Sequence, residues 1–209
     1  KYKSLISIEE IKMSLTTPVE LLGEHVILKP LDVTQAEALK EAVCDGELYN
    51  LWYTRVPRPE QMTAEIERRL DLQKAGSMLP FYIEDRKTGR ALGMTTLMHI
   101  EEAHRRVEIG STWYRKSAQR TPVNTECKKL LLAHAFETLN CIAVELRTSS
   151  LNVQSQAAIV RLGAKLDGVL RSHQIVKDDI LRDTHVYSIL KHEWPAVRQN
   201  LEWLLNKPR

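Results

Sequence analysis

The chain has 209 residues, 43% hydrophobic and 27% charged, and its 30 Lys and Arg against 27 Asp and Glu leave a formal net charge of +3. That length buries a sizeable core, and so small and scattered a positive excess gives no case for nucleic acid as a partner. Cys44, Cys127 and Cys141 share no metal-ligand spacing and are odd in number, which argues against a metal centre and a disulfide framework, and for reduced thiols in a cytoplasmic protein. No apolar run approaches the roughly 18 residues that cross a bilayer, and no secretory signal opens the chain, so a membrane is not an expected partner.

Residues 1–12 precede Met13, and MSLTTPVELLG reads as a natural start. Residues 1–14 are therefore expected to be an extension or cloning remnant ahead of one domain over 15–209. Residues 26–31 (VILKPL) alternate like a strand that ends at Lys29-Pro30. Ala38, Ala42 and Val43 on one side predict a helix over 34–45, and an aromatic-rich connection with Trp52 and Tyr53 follows. A helix over 63–75 takes Thr63 as its N-cap, carries Glu65 and Glu67 in its first turn, and closes at Gly76. Strands at 80–84, 91–100 and 105–113 are joined by short links, the first a turn at 85–90 whose Gly89 accepts positive φ. They predict an antiparallel meander. The pattern then changes to helix 125–139, strand 142–147, helix 154–162 and strands 165–175 and 182–190. A strand–helix–strand unit implies neighbouring parallel strands. Trp194, Val197, Leu201 and Leu204 fall at helical spacing in a C-terminal helix over 193–205, with Pro195 in its first turn. The sum is an α+β domain around a mixed, mostly antiparallel sheet flanked by helices.

Residues 113–137 (WYRKSAQRTPVNTECKKLLLAHAFE) carry the most chemical information. A strand end passes through a short polar loop straight into an amphipathic helix with Leu130, Leu131, Leu132, Ala135, Phe136 and Leu139. The first N–H groups of such a helix lack intrahelical partners. With the positive end of the dipole they seat a phosphate group. Arg115, Lys116 and Arg120 add positive charge beside them, so the expected ligand carries phosphates.

The order of elements, with this loop at its centre, resembles the GCN5-related N-acetyltransferase (GNAT) superfamily, and within it the branch of ribosomal-protein N-terminal alanine and serine acetyltransferases. The resemblance covers about residues 19–190 and rests on residues 107–137, 146–168 and 170–190. The family's loop motif places Gln or Arg, then Gly, then Gly or Ala. Here those positions are Gln119, Pro122 and Asn124, and QRT-x-x-NTE resembles a variant form. Pro122 has no N–H, so the amides of Arg120, Thr121, Val123, Asn124 and Thr125 are the available donors to a diphosphate. Asn124 either caps the helix or bonds a phosphate oxygen through its side chain. Asn152-x-x-Ser155 with Leu162-Gly163 matches the family's Asn-x-x-Ser…Leu-Gly pattern. There the preceding strand splays from its neighbour, the Asn bonds the pantetheine amide and the Ser lies near the sulfur. The alternative is that Asn152 is a helix N-cap after the Ser149-Ser150 turn, and the two roles are compatible.

The resemblance implies transfer of the acetyl group of acetyl coenzyme A, with no metal, to a primary amine: a protein N-terminus or a small molecule. A main-chain amide near Trp113 or Tyr114 would polarise the thioester carbonyl. Many members use a Tyr on the second helix as the acid. Ile159 stands there, and the resemblance to the ribosomal-type branch implies Ser155 as the replacement, or otherwise as a hydrogen-bond partner for the sulfur. Glu108 is the candidate base, either lining a cleft or facing solvent; some members carry a Glu where Gln174 stands, and His173 beside it titrates near neutrality. Trp52, Tyr53 and Tyr187 either line the acceptor pocket or serve core or rim packing, and the C-terminal helix either covers the core or pairs with a second subunit as a homodimer. The rival readings are a non-catalytic acyl-CoA-binding module of the same fold, and a nucleotide-binding α/β protein, which lacks its Gly-rich fingerprint here.

Overall fold

The structure, a computed structural model, describes residues 14–176 and 179–207. The expected extension at 1–14 falls outside them except for Ser14. In chain order the elements are β1 (Leu21–Leu22), β2 (Val26–Pro30), α1 (Ala36–Cys44), α2 (Met62–Lys74), β3 (Met78–Asp85), β4 (Ala91–Glu101), β5 (Arg106–Tyr114), α3 (Val123–Ala133), β6 (Ala143–Ser149), α4 (Val153–Leu162), β7 (Lys165–Ile175), β8 (Leu181–Leu190) and α5 (Trp194–Asn206). The eight strands form one sheet in the order β1-β2-β3-β4-β5-β6-β8-β7, antiparallel except for β5 and β6.

Local chemistry explains most boundaries. Asp32 and Gln35 form a capping box that starts the turn into α1. Gly76 (φ +80°) and Gly89 (φ +70°) end α2 and turn the β3–β4 hairpin, where an L side chain would be strained. Thr63 is not the N-cap of α2: a 3-10 turn, Pro59–Gln61, precedes the helix, which starts at Met62 without a side-chain cap. The helix expected over 125–139 starts at Val123 and finishes in a π turn, His134–Thr138. The parallel-neighbour rule holds for β5–α3–β6 but not for β6–α4–β7, because β8 lies between those strands and pairs antiparallel with both.

Two apolar layers cover the faces of the sheet. Leu39, Met62 and Ile66 of α1 and α2 pack on Tyr82, Met94 and Trp113. On the other face, Leu131, Phe136, Ile159 and Leu201 pack on Phe81, Ile83, Leu97 and Ile109. The inner face of α5 covers this second layer through Trp194, Val197, Leu201 and Leu204, while Trp203 stays exposed. Tyr187 is core as well, not a pocket wall.

A buried carboxylate fixes α3 against the start of the sheet. Glu126 accepts the N–H groups of Glu24, His25 and Val26 at 2.7–2.8 Å. Gly23 is required beside it, because a Cβ there would lie 2.5 Å from the Glu126 carboxylate. A buried donor left unpaired costs about 1–3 kcal/mol. Only the Val26 N–H is fully buried, while those of Glu24 and His25 can turn to water, so Glu126→Ala is expected to lower the unfolding free energy by about 2–4 kcal/mol. Urea unfolding measures this; a wild-type midpoint in the Ala variant would show that the three donors find other partners.

Candidate active site

The site begins with an irregularity in β5. Thr96 pairs with Gly110 and Met94 with Trp113, so Ser111 and Thr112 together oppose the single residue Thr95. This is a β-bulge, and Ser111 sits at φ +47°. A residue with a side chain holds such a conformation only where its surroundings impose it. Here Arg69, 1% exposed, donates through Nη2 to Ser111 O at 3.2 Å and through Nη1 to Thr96 Oγ1 at 2.8 Å. Glu65 Oε1 balances it at 2.7 Å from Nε. From the opposite face, Lys128 reaches Thr112 Oγ1 at 3.0 Å, and Thr112 and Thr95 share a hydroxyl hydrogen bond at 2.7 Å.

The bulge turns β5 away from β6 where the two have barely met. Their register runs Arg106↔Ala143, Val107↔Val144, Glu108↔Glu145 and stops. Beyond it, residues 110–114 pair only with β4 and residues 146–149 only with β8. Arg115 N donates to Leu92 O of the adjoining strand β4 at 2.8 Å. Strand alternation therefore turns the Tyr114 N–H to the open edge. Gln119 Nε2 donates to the Tyr114 carbonyl at 3.3 Å on that edge. The side chains of this pair serve packing instead. Trp113 is buried under α1 and α2. Tyr114 is enclosed beside Cys127, and burial pushes its hydroxyl well above the usual range and the Cys127 thiol up to about 12.

The loop before α3 is bolted in place by the residue expected to bind phosphate. Arg115 donates to Asp45 Oδ2 at 2.8 Å, Glu41 Oε1 at 3.2 Å and Ala91 O at 3.1 Å, and Ser117 Oγ donates to the same Asp45 oxygen at 2.6 Å. Its charge is thereby neutralised inside the protein. Neither Asn124 nor Thr121 caps the helix, whose N-cap is Pro122. Thr121 braces the turn before it, its Oγ1 donating to Ala118 O at 2.6 Å and receiving Val123 N at 3.3 Å. Asn124 lies within the first turn, and its side chain makes no hydrogen bond to the described residues. Arg120 adopts φ +59°, exposed at the turn. The amides of Arg120, Thr121, Asn124 and Thr125 find no acceptor among the described residues. Next to them lies a cavity of about 350 Å³ whose walls include His25, Lys87, Arg90, Thr121, Pro122 and Val123. Beside Arg115 of the loop itself, its basic residues come from just before β2 and from the β3–β4 turn, which the sequence gives no reason to join to this loop.

At the far end of the open edge, Asn152 Oδ1 accepts Ser155 N at 3.0 Å and caps α4. The amide nitrogen of Asn152 and the Ser155 hydroxyl remain without described partners. Glu108 stands where the strands part. It is 7% exposed, receives His99 Nδ1 at 2.8 Å and lies 3.4 Å from Arg147 Nε. Its burial excludes the solvent-facing placement, and neither of the site's two cavities counts it among its walls. The Glu108 hydrogen bond holds His99 above its ordinary pKa, and Glu145 shares Arg147 at 2.7 Å. A second cavity, about 250 Å³, opens between Trp52 and Tyr53, residues 149–151 at the end of β6, and Arg182 and Asp183 of β8. Ile159 is buried in the core and has no acid to offer, and His173 is tied to Thr184 Oγ1 at 3.1 Å.

The family profile described as Acetyltransferase (GNAT) domain matches residues 25–165. Among solved structures, a protein from T. thermophilus assigned as an acetyltransferase is 34% identical over 90% of this chain and 98% of that one, with a TM-score of 0.78. A GCN5-related N-acetyltransferase from Brucella melitensis is 29% identical over 90% and 86%, with a TM-score of 0.77. Mycobacterium smegmatis RimJ, in complex with CoA-disulfide, has the same fold at 20% identity over 90% and 96%, with a TM-score of 0.77. No curated protein sequence matches significantly.

Lys128 tests how the bulge is held. Burial lowers its pKa from 10.5 to about 8, while the unfolded chain keeps the proton to the higher value. The folded state is penalised below about pH 8, so stability rises as pH climbs from 8 to 10.5. Lys128→Met is expected to lose this rise. Urea midpoints of both proteins across that range measure it; parallel curves would show that Lys128 is not desolvated as described.

Proposed function

The chain belongs to the acetyltransferase (GNAT) family, and from that premise we propose that it moves an acetyl group from acetyl coenzyme A to a primary amine by direct attack in a ternary complex. The observation that carries the reading is the edge left open between β5 and β6 after Glu108 and Glu145. It lies between a loop of unpaired amides and a pair of uncommitted polar groups on α4. RimJ, which shares the fold, holds a coenzyme A disulfide, and the same ligand class fits this chain's free donors.

In this reading acetyl coenzyme A supplies the activated thioester. The amides of Arg120, Thr121, Asn124 and Thr125, with the positive end of α3, hold its diphosphate. Val123 contributes less, because Thr121 already accepts its N–H. Gln119 fixes the Tyr114 carbonyl, Trp113 anchors the strand through the core, and the Tyr114 N–H faces the place where negative charge develops on the carbonyl oxygen. Asn152, its Oδ1 spent on the cap, keeps two N–H donors for the pantetheine arm, and the Ser155 hydroxyl donates to the departing sulfur. Glu108 takes the proton from the attacking amine, and half-exposed His99 passes it to solvent. Holding both reactants in line supplies up to about 7–11 kcal/mol. The acceptor occupies the cavity walled by Trp52 and Tyr53.

The test is release of free thiol from acetyl coenzyme A over a panel of amines and N-terminal peptides. Turnover of at least one acceptor is expected; a coenzyme that raises Tm but is never consumed would leave only a binding module. In that assay Glu108→Gln is expected to lower kcat by about 10²–10³-fold, the scale of a lost proton transfer, and wild-type turnover would remove Glu108 as the base. Asn124→Asp sets a carboxylate against the diphosphate and is expected to weaken coenzyme affinity about tenfold, the equivalent of about 1.4 kcal/mol. An unchanged Kd by calorimetry would move the diphosphate away from α3.

A further inference from the structure

Arg182 stands near the start of β8 and lines the cavity that Trp52 and Tyr53 wall. Its Nε is buried and finds no partner among the described residues. The hydrogen bond its guanidinium makes there is a long one, Nη1 to Gln174 Oε1 at 3.4 Å. The Nε–Nη2 edge, the one that grips a carboxylate at two points, is left open. The neighbouring acid does not close it: Asp183 Oδ1 accepts Ser172 N at 2.6 Å. Nor does Arg147 compete for a ligand, since Glu145 and Glu108 hold it. Burial, and then the nearby charge of Arg55, push the Arg182 pKa down, while Glu108 acts the other way. Arg182 is thus the cation that lines this cavity, and it lies within the field of Glu108. It is half-buried with its Nε enclosed. A guanidinium nitrogen enclosed without a hydrogen-bond partner is costly, and a bound anion that pairs with it removes that cost.

We propose that the amine acceptor carries a carboxylate, which the Nε–Nη2 edge of Arg182 binds while the amine turns toward Glu108. The inference rests on the reading of this cavity as the acceptor site. The aromatic walls cover the apolar part of the molecule, and the cation and the base set the spacing of its two charged ends. A free amino acid and a peptide N-terminus followed by an acidic residue both present this chemistry, and matched pairs separate them. One pair is an amino acid and its amide. The other is a C-terminally amidated peptide with Glu or Gln at its second position.

Calorimetry on the complex with coenzyme A, which cannot react, measures acceptor binding alone. The acid of at least one pair is expected to bind tenfold or more tightly than its amide, Arg182→Gln to abolish the difference, and Arg182→Lys to keep part of it. The Tm rise given by coenzyme A reports that each variant is folded; if the Gln variant is not, the wild-type pairs decide. Equal binding of acid and amide in both pairs, or binding of neither, overturns the proposal. Preference for the acid without turnover would keep this inference and sink the catalytic reading. Turnover without preference would do the reverse.

Discussion

The bulge at Ser111 and Thr112 is the constraint on which the rest of the site depends. A parallel pair that continued past Glu108 and Glu145 would close the sheet and leave no edge for a thioester. The extra residue prevents this by bending β5, at the cost of a serine in the left-handed region. Two buried cations hold the bend from opposite faces, Arg69 through the Ser111 carbonyl and Lys128 through the Thr112 hydroxyl. Arg69 has Glu65 as its counter-charge, whereas Lys128 has, among the described residues, the Thr112 hydroxyl as its hydrogen-bond partner and a lowered pKa to reconcile it with burial. The fold thus gives up some stability to keep one strand edge unpaired.

Charges near the site divide into those already satisfied inside the protein and those left available. Arg115 and Glu126 carry formal charge next to the loop, yet each is saturated: Arg115 by Asp45, Glu41 and a carbonyl, Glu126 by three main-chain N–H groups. They hold the loop and the start of α3 stationary, so that unpaired amides point into a fixed space rather than a fluctuating one. Preorganised donors of this kind need no rearrangement when charge develops. Arg182 belongs to the second group, as do the Asn152 amide nitrogen and the Ser155 hydroxyl.

The loop-to-helix segment was legible in the sequence because its signals are local. A polar loop before an apolar stripe, Pro122 without a donor, and Asn152 three residues ahead of Ser155 each act over one helical turn. The cap on α4 formed as the spacing requires. Other local signals were read onto the wrong residue. Pro122 rather than Asn124 is the N-cap of α3, and α2 begins before Thr63, because each helix is entered through a turn of the preceding chain that moves its start ahead of the polar residue.

By itself the sequence determined the succession of helices and strands, the meander, the loop with its orphan amides and the apolar faces that make two layers on a sheet. These follow from periodicity and backbone propensity, which act within a few residues. Only the tertiary structure decided which charges are internal, which strand lies between β6 and β7, where β5 bulges, and that Arg182 shares a cavity with Trp52. Glu126 meets residues 24–26 across about one hundred positions and Arg115 meets Asp45 across seventy. Partners that far apart leave no trace in local pattern, since any charged residue on a helix or strand reads as solvated until the chain that buries it arrives.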